Sequence, residues 1–171
     1  ASREVFPEAL TAVHFANPHE VEKIELIAKI LDHNEVDYDI FGASYYPMWH
    51  GSADNLASVL TNISQTYDKY VMVAETSYPY TEENGDLQGN SCPGDGQTLD
   101  YPVTIQGQAN EIRDVIAAAS SIGEKSLGVF YWEPAWLPVA GATYEEQQAV
   151  WEKFGSGWAS SFAGQYDPDD A

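Results

Sequence analysis

The chain has 171 residues, of which 44% are hydrophobic and 20% charged, a composition typical of one globular domain or of part of a larger one. The 27 acidic residues against seven lysines and arginines give a formal net charge of −20, which excludes nucleic acids and anionic membranes as favoured partners. No apolar run approaches the roughly 20 residues of a membrane span, and Cys92 as the only cysteine excludes an internal disulfide.

Strand and helix patterns alternate along the chain. Apolar, β-rich runs at 10–15, 38–45, 70–75 and 126–132 predict four strands. Three helices are predicted by apolar residues at helical spacing, namely Ile24, Ile27, Ala28 and Leu31, then Leu56, Val59, Leu60 and Ile63, then Ile105, Ala109, Ile112, Ile116 and Ala119. A capping box at Thr143–Glu146 predicts a fourth helix that runs to about Phe154. This alternation predicts parallel strands with right-handed crossovers, an α/β architecture.

The loops that follow the strands are longer than those that precede them, and the longest runs from 76 to about 103. In α/β folds the functional site lies on the loops at the carboxyl ends of the strands. No strand is followed by a glycine-rich phosphate-binding motif, which weakens a dinucleotide-binding interpretation. The four predicted pairs of one strand and one helix favour half of a barrel that has eight such pairs.

Candidate site residues lie at these carboxyl ends. Glu75 terminates a strand without any other charge, and regular alternation would place Ser44 and Tyr46 on one side of the preceding strand. With Trp132 at the end of the fourth strand, they supply a carboxylate, a hydroxyl partner and an aromatic floor, as glycoside hydrolysis requires, although a second carboxyl group is also needed. On these residues alone, a solvent-facing or lysine-paired carboxylate is the more ordinary interpretation of Glu75. His14 fits a buried, hydrogen-bonded histidine as well as a substrate contact.

Five segments in register resemble the family 53 glycoside hydrolases, the bacterial endo-β-1,4-galactanases: DYDIFGASYYPMWHG, YVMVAETSYPYT, YPVTIQGQAN, GVFYWEPAW and FGSGWASSF. The resemblance implies a (β/α)₈ TIM barrel, of which residues 1–171 form the C-terminal part of one catalytic domain, with strands 5 to 8. It implies retaining, endo-acting hydrolysis of β-1,4-galactan in type I arabinogalactan, without a cofactor for the chemistry. The N-terminal half of the same barrel is then the expected protein partner, and galactan or a galacto-oligosaccharide the expected ligand.

The resemblance also implies residue roles. Glu75 matches the family nucleophile, and Tyr46 matches the tyrosine that orients it. Trp132 would form the floor under the scissile sugar, and Trp158 would stack on sugars further toward the glycone side. Ser44 and His14 complete the expected substrate-binding set.

The acid/base glutamate of the family follows an asparagine at the end of the fourth strand, which lies upstream of Ala1. Glu133 is a poor replacement, because alternation points it away from the side to which Trp132 points. A non-catalytic, carbohydrate-binding half barrel is therefore the alternative function. His50 is interpreted as a plain loop residue, and Trp49 and Trp136 as structural aromatics.

Bacterial relatives carry calcium in the loop after the third predicted strand. Here that loop supplies oxygen-bearing side chains at every second position, Asn84, Asp86, Gln88 and Asn90, but only one carboxylate. A weakened calcium site and a hydrogen-bonded turn are equally consistent with this pattern. The first ten residues lack the order of a signal peptide, yet the resemblance implies a secreted protein.

Overall fold

The computed structural model describes residues 2–83, 92–94, 96–132, 143 and 145–146. Its helices and strands, in chain order, are α1 (Ser2–Val5), β1 (Ala12–Phe15), α2 (Val21–His33), β2 (Ile40–Ser44), α3 (Pro47–His50), α4 (Ala53–Tyr67), β3 (Tyr70–Thr76), α5 (Ile105–Ser121) and β4 (Ser126–Tyr131). The four predicted strands and the first three predicted helices are confirmed. The first two strands are shorter than predicted and begin at Ala12 and Ile40, and the short helices α1 and α3 were not predicted.

The four strands form one parallel sheet in the order β1-β2-β3-β4. Each strand therefore lies beside its predecessor in the chain, and helices connect them. A doubly wound sheet would reverse its strand order at a switch point, whereas consecutive order is that of a barrel wall. The predicted α/β architecture is confirmed.

The main hydrophobic core lies between the sheet and the helices. Phe41, Ala43 and Val73 point to this side of the sheet and are fully buried. They pack with residues of α2 and α4, among them Ile24, Ala28, Leu56, Leu60 and Ile63. Because side chains alternate along a strand, the residues between them point to the other face, called the inner face below.

The inner face of the sheet is crowded at Gly42. A Cβ atom there would lie 3.2 Å from the Cβ atom of Ala74, 3.4 Å from the carbonyl oxygen of Val13 and 3.6 Å from Cγ of Met72. The absence of a side chain thus lets the neighbouring strands carry larger groups on the inner face.

Local hydrogen bonds explain where the helices begin. The Ser52 hydroxyl accepts from the Asn55 N–H before α4, and the Thr104 hydroxyl accepts from the Gly107 N–H before α5. Further along, the Thr143 N–H donates to Glu146 Oε2 over 2.9 Å, and the Glu146 N–H donates to Thr143 Oγ1 over 3.3 Å. This confirms the predicted capping box; the rest of that helix, to Phe154, lies outside the described residues.

In the part of the chain that the structure describes, no helix combines the length and the apolar character that crossing a membrane requires.

Candidate active site

A β-bulge at the end of β3 determines where Glu75 points. Ala43 pairs with Val73, but the next residue, Ser44, pairs with Glu75, so Ala74 is an extra residue on β3. Ala74 already lies on the inner face against Gly42, and strict alternation would send Glu75 to the helix side. The extra residue resets the alternation, and Glu75 joins the inner face.

Tyr46 and Glu75 are in direct contact. The phenolic hydroxyl of Tyr46 donates a hydrogen bond to Glu75 Oε2 over 3.1 Å, and the Glu75 side chain is 23% exposed. Tyr46 has an extended backbone, with φ −125° and ψ 115°, although it already caps α3. The strand alternation therefore continues through Tyr46, as predicted, and brings Ser44 and Tyr46 to the same face.

His14 joins this pair from β1. Its Nε2 atom lies 2.7 Å from the Ser44 hydroxyl and 3.7 Å from Glu75 Oε1. The His14 side chain is 39% exposed in this chain and is bound to the Ser44 hydroxyl. Three adjacent strands thus place four polar side chains at one end of the sheet, those of His14, Ser44, Tyr46 and Glu75.

The backbone of Trp132 reaches the same end of the sheet, because its N–H donates to the carbonyl oxygen of Thr76, the residue after Glu75. Trp132 as a whole residue is 40% exposed. Trp158, Trp136 and Glu133 lie outside the described residues, as do the predicted calcium ligands, Asn84, Asp86, Gln88 and Asn90. Within the described ranges, no group of three or more His, Cys, Asp or Glu side chains is arranged to hold a metal ion.

The segment that follows Glu75 is held by side chains from two other elements. Gln108, on α5, donates to the carbonyl oxygen of Tyr78 over 2.7 Å and to the Tyr131 hydroxyl over 3.0 Å. The Tyr131 hydroxyl in turn donates to the same Tyr78 carbonyl over 3.3 Å. Glu75 is therefore fixed on one side by the sheet and on the other by an anchored loop.

His50 is the functional candidate that the sequence interpretation missed. It is not a plain loop residue: it ends α3, is 6% exposed, and its Nδ1 atom accepts a hydrogen bond from the Tyr46 N–H. Trp49 is 45% exposed, and its ring lies 5.5 Å from that of Tyr46. The spacing from Tyr46 to His50, one helical turn, was the only signal in the sequence for this contact.

The family model described as Glycosyl hydrolase family 53 matches residues 1–167. The chain belongs to glycosyl hydrolase family 53. It is 54% identical over 172 residues to the endo-beta-1,4-galactanase of Bacillus subtilis (strain 168), covering 100% of this chain and 40% of that protein. It is 35% identical over 118 residues to the arabinogalactan endo-beta-1,4-galactanase of Cellvibrio japonicus (strain Ueda107), covering 68% of this chain and 31% of the relative.

Among solved structures, the chain is similar to the GH53 catalytic domain of Ignisphaera aggregans, with a TM-score of 0.73 and 34% identity over 82% of this chain and 39% of that one. The chain thus spans about two fifths of the length of the Bacillus subtilis and Ignisphaera aggregans proteins. Together with the four consecutive parallel strands, this match confirms the predicted half of a (β/α)₈ barrel.

Membership of family 53 gives the geometry at the strand ends a chemical context. A carboxylate that accepts a phenolic hydrogen bond at one oxygen is held in a fixed orientation. The other oxygen of Glu75, Oε1, lies 3.7 Å from His14 Nε2. Such a group can act as a base or as a nucleophile. The structure therefore brings together His14, Ser44, Tyr46 and Glu75 of the residues predicted from the sequence.

Proposed function

We propose that this family 53 chain supplies the nucleophile half of the active site of a retaining endo-β-1,4-galactanase, which cleaves the galactan of type I arabinogalactan. The contact between Tyr46 and Glu75 carries the proposal, because it orients a carboxylate at the end of the sheet where barrel enzymes hold their substrates. The names of the Bacillus subtilis and Cellvibrio japonicus relatives support the choice of substrate.

In this mechanism Glu75 attacks the anomeric carbon of the scissile galactose. Tyr46 occupies Oε2, so Oε1 forms the new bond, and the glycosidic oxygen leaves with a proton from a second carboxylic acid. The same second group then takes a proton from water, which attacks the anomeric carbon of the glycosyl ester, breaks its bond to Glu75 and gives a sugar with retained anomeric configuration. We expect that acid/base residue in the part of the family 53 domain that this chain does not span.

The sugar itself would contact the neighbouring side chains. The exposed indole of Trp132 offers an apolar surface to the C–H groups of a galactose ring. His14 presents an imidazole to the sugar hydroxyls, and the buried Ser44 contributes to substrate binding by holding this ring, with its hydroxyl 2.7 Å from His14 Nε2. Trp158 would extend the stacking surface along the glycone.

A fluorosugar that traps the glycosyl-enzyme tests the proposal. The protein expressed from its complete reading frame is incubated with a fluorinated galactobioside that carries an activated leaving group, then digested and analysed by mass spectrometry. The expected result is one glycosylated peptide with the sugar on Glu75, together with cleavage of β-1,4-galactan. Labelling at another carboxylate, or an unlabelled protein that still cleaves galactan, would reject Glu75 as the nucleophile.

A non-catalytic, carbohydrate-binding role for residues 1–171 alone is favoured by one observation: the chain spans 40% of its Bacillus subtilis relative. Within the described sheet, β1 and β4 are outer strands, and β4 exposes Leu127 and Phe130, which suits pairing with the remaining half of the barrel. We propose that residues 1–171 are the C-terminal part of one catalytic domain. If the isolated residues 1–171 bind galacto-oligosaccharides without cleaving them, a binding role for this part alone is supported. If the protein from the complete reading frame cleaves galactan, the place of residues 1–171 in one catalytic domain is supported.

Calcium and secretion remain proposals. A calcium ion bound by Asn84, Asp86, Gln88 and Asn90 would be structural, not catalytic, and removal of calcium with a chelator should then lower the melting temperature of the complete protein without changing kcat at low temperature. An extracellular location suits a polymeric substrate, and galactanase activity in the culture medium of the source cells would support it.

A further inference from the structure

We propose that His50 is a positioning residue for the nucleophile, whose neutral ring holds the backbone of Tyr46 so that the Tyr46 phenol reaches Glu75. This inference rests on the proposed function and deepens it. It makes the catalytic geometry dependent on the protonation state of a histidine that does not touch the substrate.

The hydrogen bonds of Tyr46 give the first argument. The Tyr46 N–H donates to Nδ1 of His50 over 3.0 Å, and the His50 N–H donates to the Tyr46 carbonyl oxygen over 2.8 Å. His50 therefore binds both backbone groups of Tyr46, and the Trp49 N–H donates to the same carbonyl oxygen over 3.0 Å. Since Tyr46 stands at the junction of β2 and α3, His50 sets the backbone from which the phenol extends toward Glu75.

The donor in the first of these bonds also fixes the tautomer. A backbone N–H can only donate, so Nδ1 of His50 must carry a lone pair, and the ring proton of the neutral form lies on Nε2. Protonation of Nδ1 would set two N–H groups against each other at 3.0 Å. The contact with Tyr46 therefore exists only while His50 is neutral.

The packing around His50 keeps the ring in this orientation. Its ring stacks on that of His19, with 5.4 Å between centroids and 15° between planes. The Tyr46 ring packs edge-on, with 5.9 Å between its centroid and that of His50, and the centroids of Trp49 and Tyr45 lie at 6.4 Å and 6.5 Å. With 6% of its surface exposed, His50 has little room to turn its other nitrogen toward the Tyr46 N–H.

The electrostatic surroundings favour the neutral form. Burial, and then the nearby His19, lower the pKa of His50, while a hydrogen bond with the backbone of Ser44 and the charge of Glu75 oppose the shift. Tyr45 is neutral here, since burial raises its pKa strongly and its hydroxyl donates to the Gly51 carbonyl oxygen. The net direction is down, so the contact persists at neutral pH and is lost in acid.

Three substitutions separate the hydrogen bond from the packing. In His50→Asn the amide oxygen takes the place of Nδ1 and can accept from Tyr46, but it cannot titrate. In His50→Gln the amide group lies nearer the place of Nε2, and in His50→Leu no acceptor remains. All three are made in the protein expressed from its complete reading frame, and kcat and KM on β-1,4-galactan are measured from pH 4 to pH 8.

We expect His50→Leu and His50→Gln to lower kcat about 10-fold to 100-fold with little change in KM, because a displaced catalytic group loses rate rather than affinity. His50→Asn should keep kcat within about threefold of the wild type at pH 7, and its activity should fall less steeply in acid. In a Tyr46→Phe background, His50→Leu should add little further loss, because the contact it supports is already absent.

Two results would overturn the inference while leaving the proposed function intact. The first is an active wild type whose kcat and pH profile are unchanged by His50→Leu. The second is an equal loss of kcat in His50→Asn and His50→Leu when both variants show the near-ultraviolet circular dichroism of the wild type. A wild type that does not cleave galactan would instead overturn the proposed function and this inference with it. If His50→Leu does not fold, the pH profile of His50→Asn decides alone. A fall of kcat in acid that is as steep in His50→Asn as in the wild type rejects the inference.

Discussion

Ser44 lies directly opposite Glu75 in the parallel pairing of β2 and β3, although the residues before them, Ala43 and Val73, set a register that would pair Ser44 with Ala74. One extra residue on β3 is therefore the difference between a carboxylate on the inner face and one among the helices. The backbone N–H of Tyr45 secures this arrangement by donating to the Glu75 carbonyl oxygen over 2.8 Å. The bulge is thus part of the site and not an irregularity of the sheet.

Glu75→Gln should abolish turnover of β-1,4-galactan while oligosaccharide binding stays close to that of the wild type. The amide keeps the size of the side chain but cannot form the glycosyl ester. The loss of a nucleophile corresponds to at least about 10⁴-fold in kcat. Steady-state kinetics and isothermal titration calorimetry on the protein from its complete reading frame measure the two quantities.

The matched control for this experiment is Glu22→Gln, at an exposed carboxylate in the first turn of α2. It should leave kcat and the oligosaccharide affinity unchanged. Retained turnover in Glu75→Gln would mean that another carboxylate is the nucleophile.

Tyr46→Phe should lower kcat about 10-fold to 100-fold, because it removes a hydrogen bond to an ionised carboxylate, an interaction of about 1.5–3 kcal/mol. The ring and its contacts with Trp49 and His50 remain, so stability should change little. Tyr70→Phe, at an exposed position at the other end of β3, is the control and should keep the wild-type kcat. Equal activity of the two variants would show that the phenol is not needed to orient Glu75.

Ser44→Ala should reduce kcat/KM by about 5-fold to 30-fold, as expected for the loss of about 1–2 kcal/mol when the His14 ring is no longer held at 2.7 Å. Ser64→Ala is a matched control, because Ser64 is an equally buried serine whose hydroxyl donates to the Lys69 carbonyl oxygen on the helix side. Both variants should lose similar stability in urea denaturation, but only Ser44→Ala should lose activity. If the two lose activity alike, the effect comes from stability and not from His14.

The sequence alone predicted the order of helices and strands, since apolar spacing and turn residues carry that information locally. Residue patterns alone predicted Glu75 only as a strand end, and its place beside Tyr46 came from the resemblance to family 53. Periodicity of two along 71–75 would have placed its side chain with Val71 and Val73, and the bulge that reverses this depends on pairing with β2. His50 was missed because one histidine after Pro47, Met48 and Trp49 has no sequence pattern that distinguishes a buried acceptor from an exposed side chain. Its contact with Tyr46 exists only once α3 forms.

Glu111 should make the stability of the protein depend on pH, separately from the site. It is 2% exposed on α5, and burial, followed by the charges of Asp100 and Asp114, raises its pKa to about 7. Because the pKa of Glu111 is higher in the folded state than in the unfolded state, its contribution to the free energy of unfolding is fully present below about pH 4.5. This contribution is lost as the pH rises through 7. Glu111→Gln removes the buried charge and keeps the shape of the side chain.

The variant should therefore match the wild type in free energy of unfolding near pH 4.5 and exceed it by about 1–3 kcal/mol at pH 8. Urea denaturation at both pH values, on the protein from its complete reading frame, measures the difference. Glu22→Gln, at an exposed carboxylate on α2, should show no such pH-dependent gain. A wild type that is more stable than Glu111→Gln at pH 8 would mean that the ionised carboxylate has a stabilising partner in the complete protein.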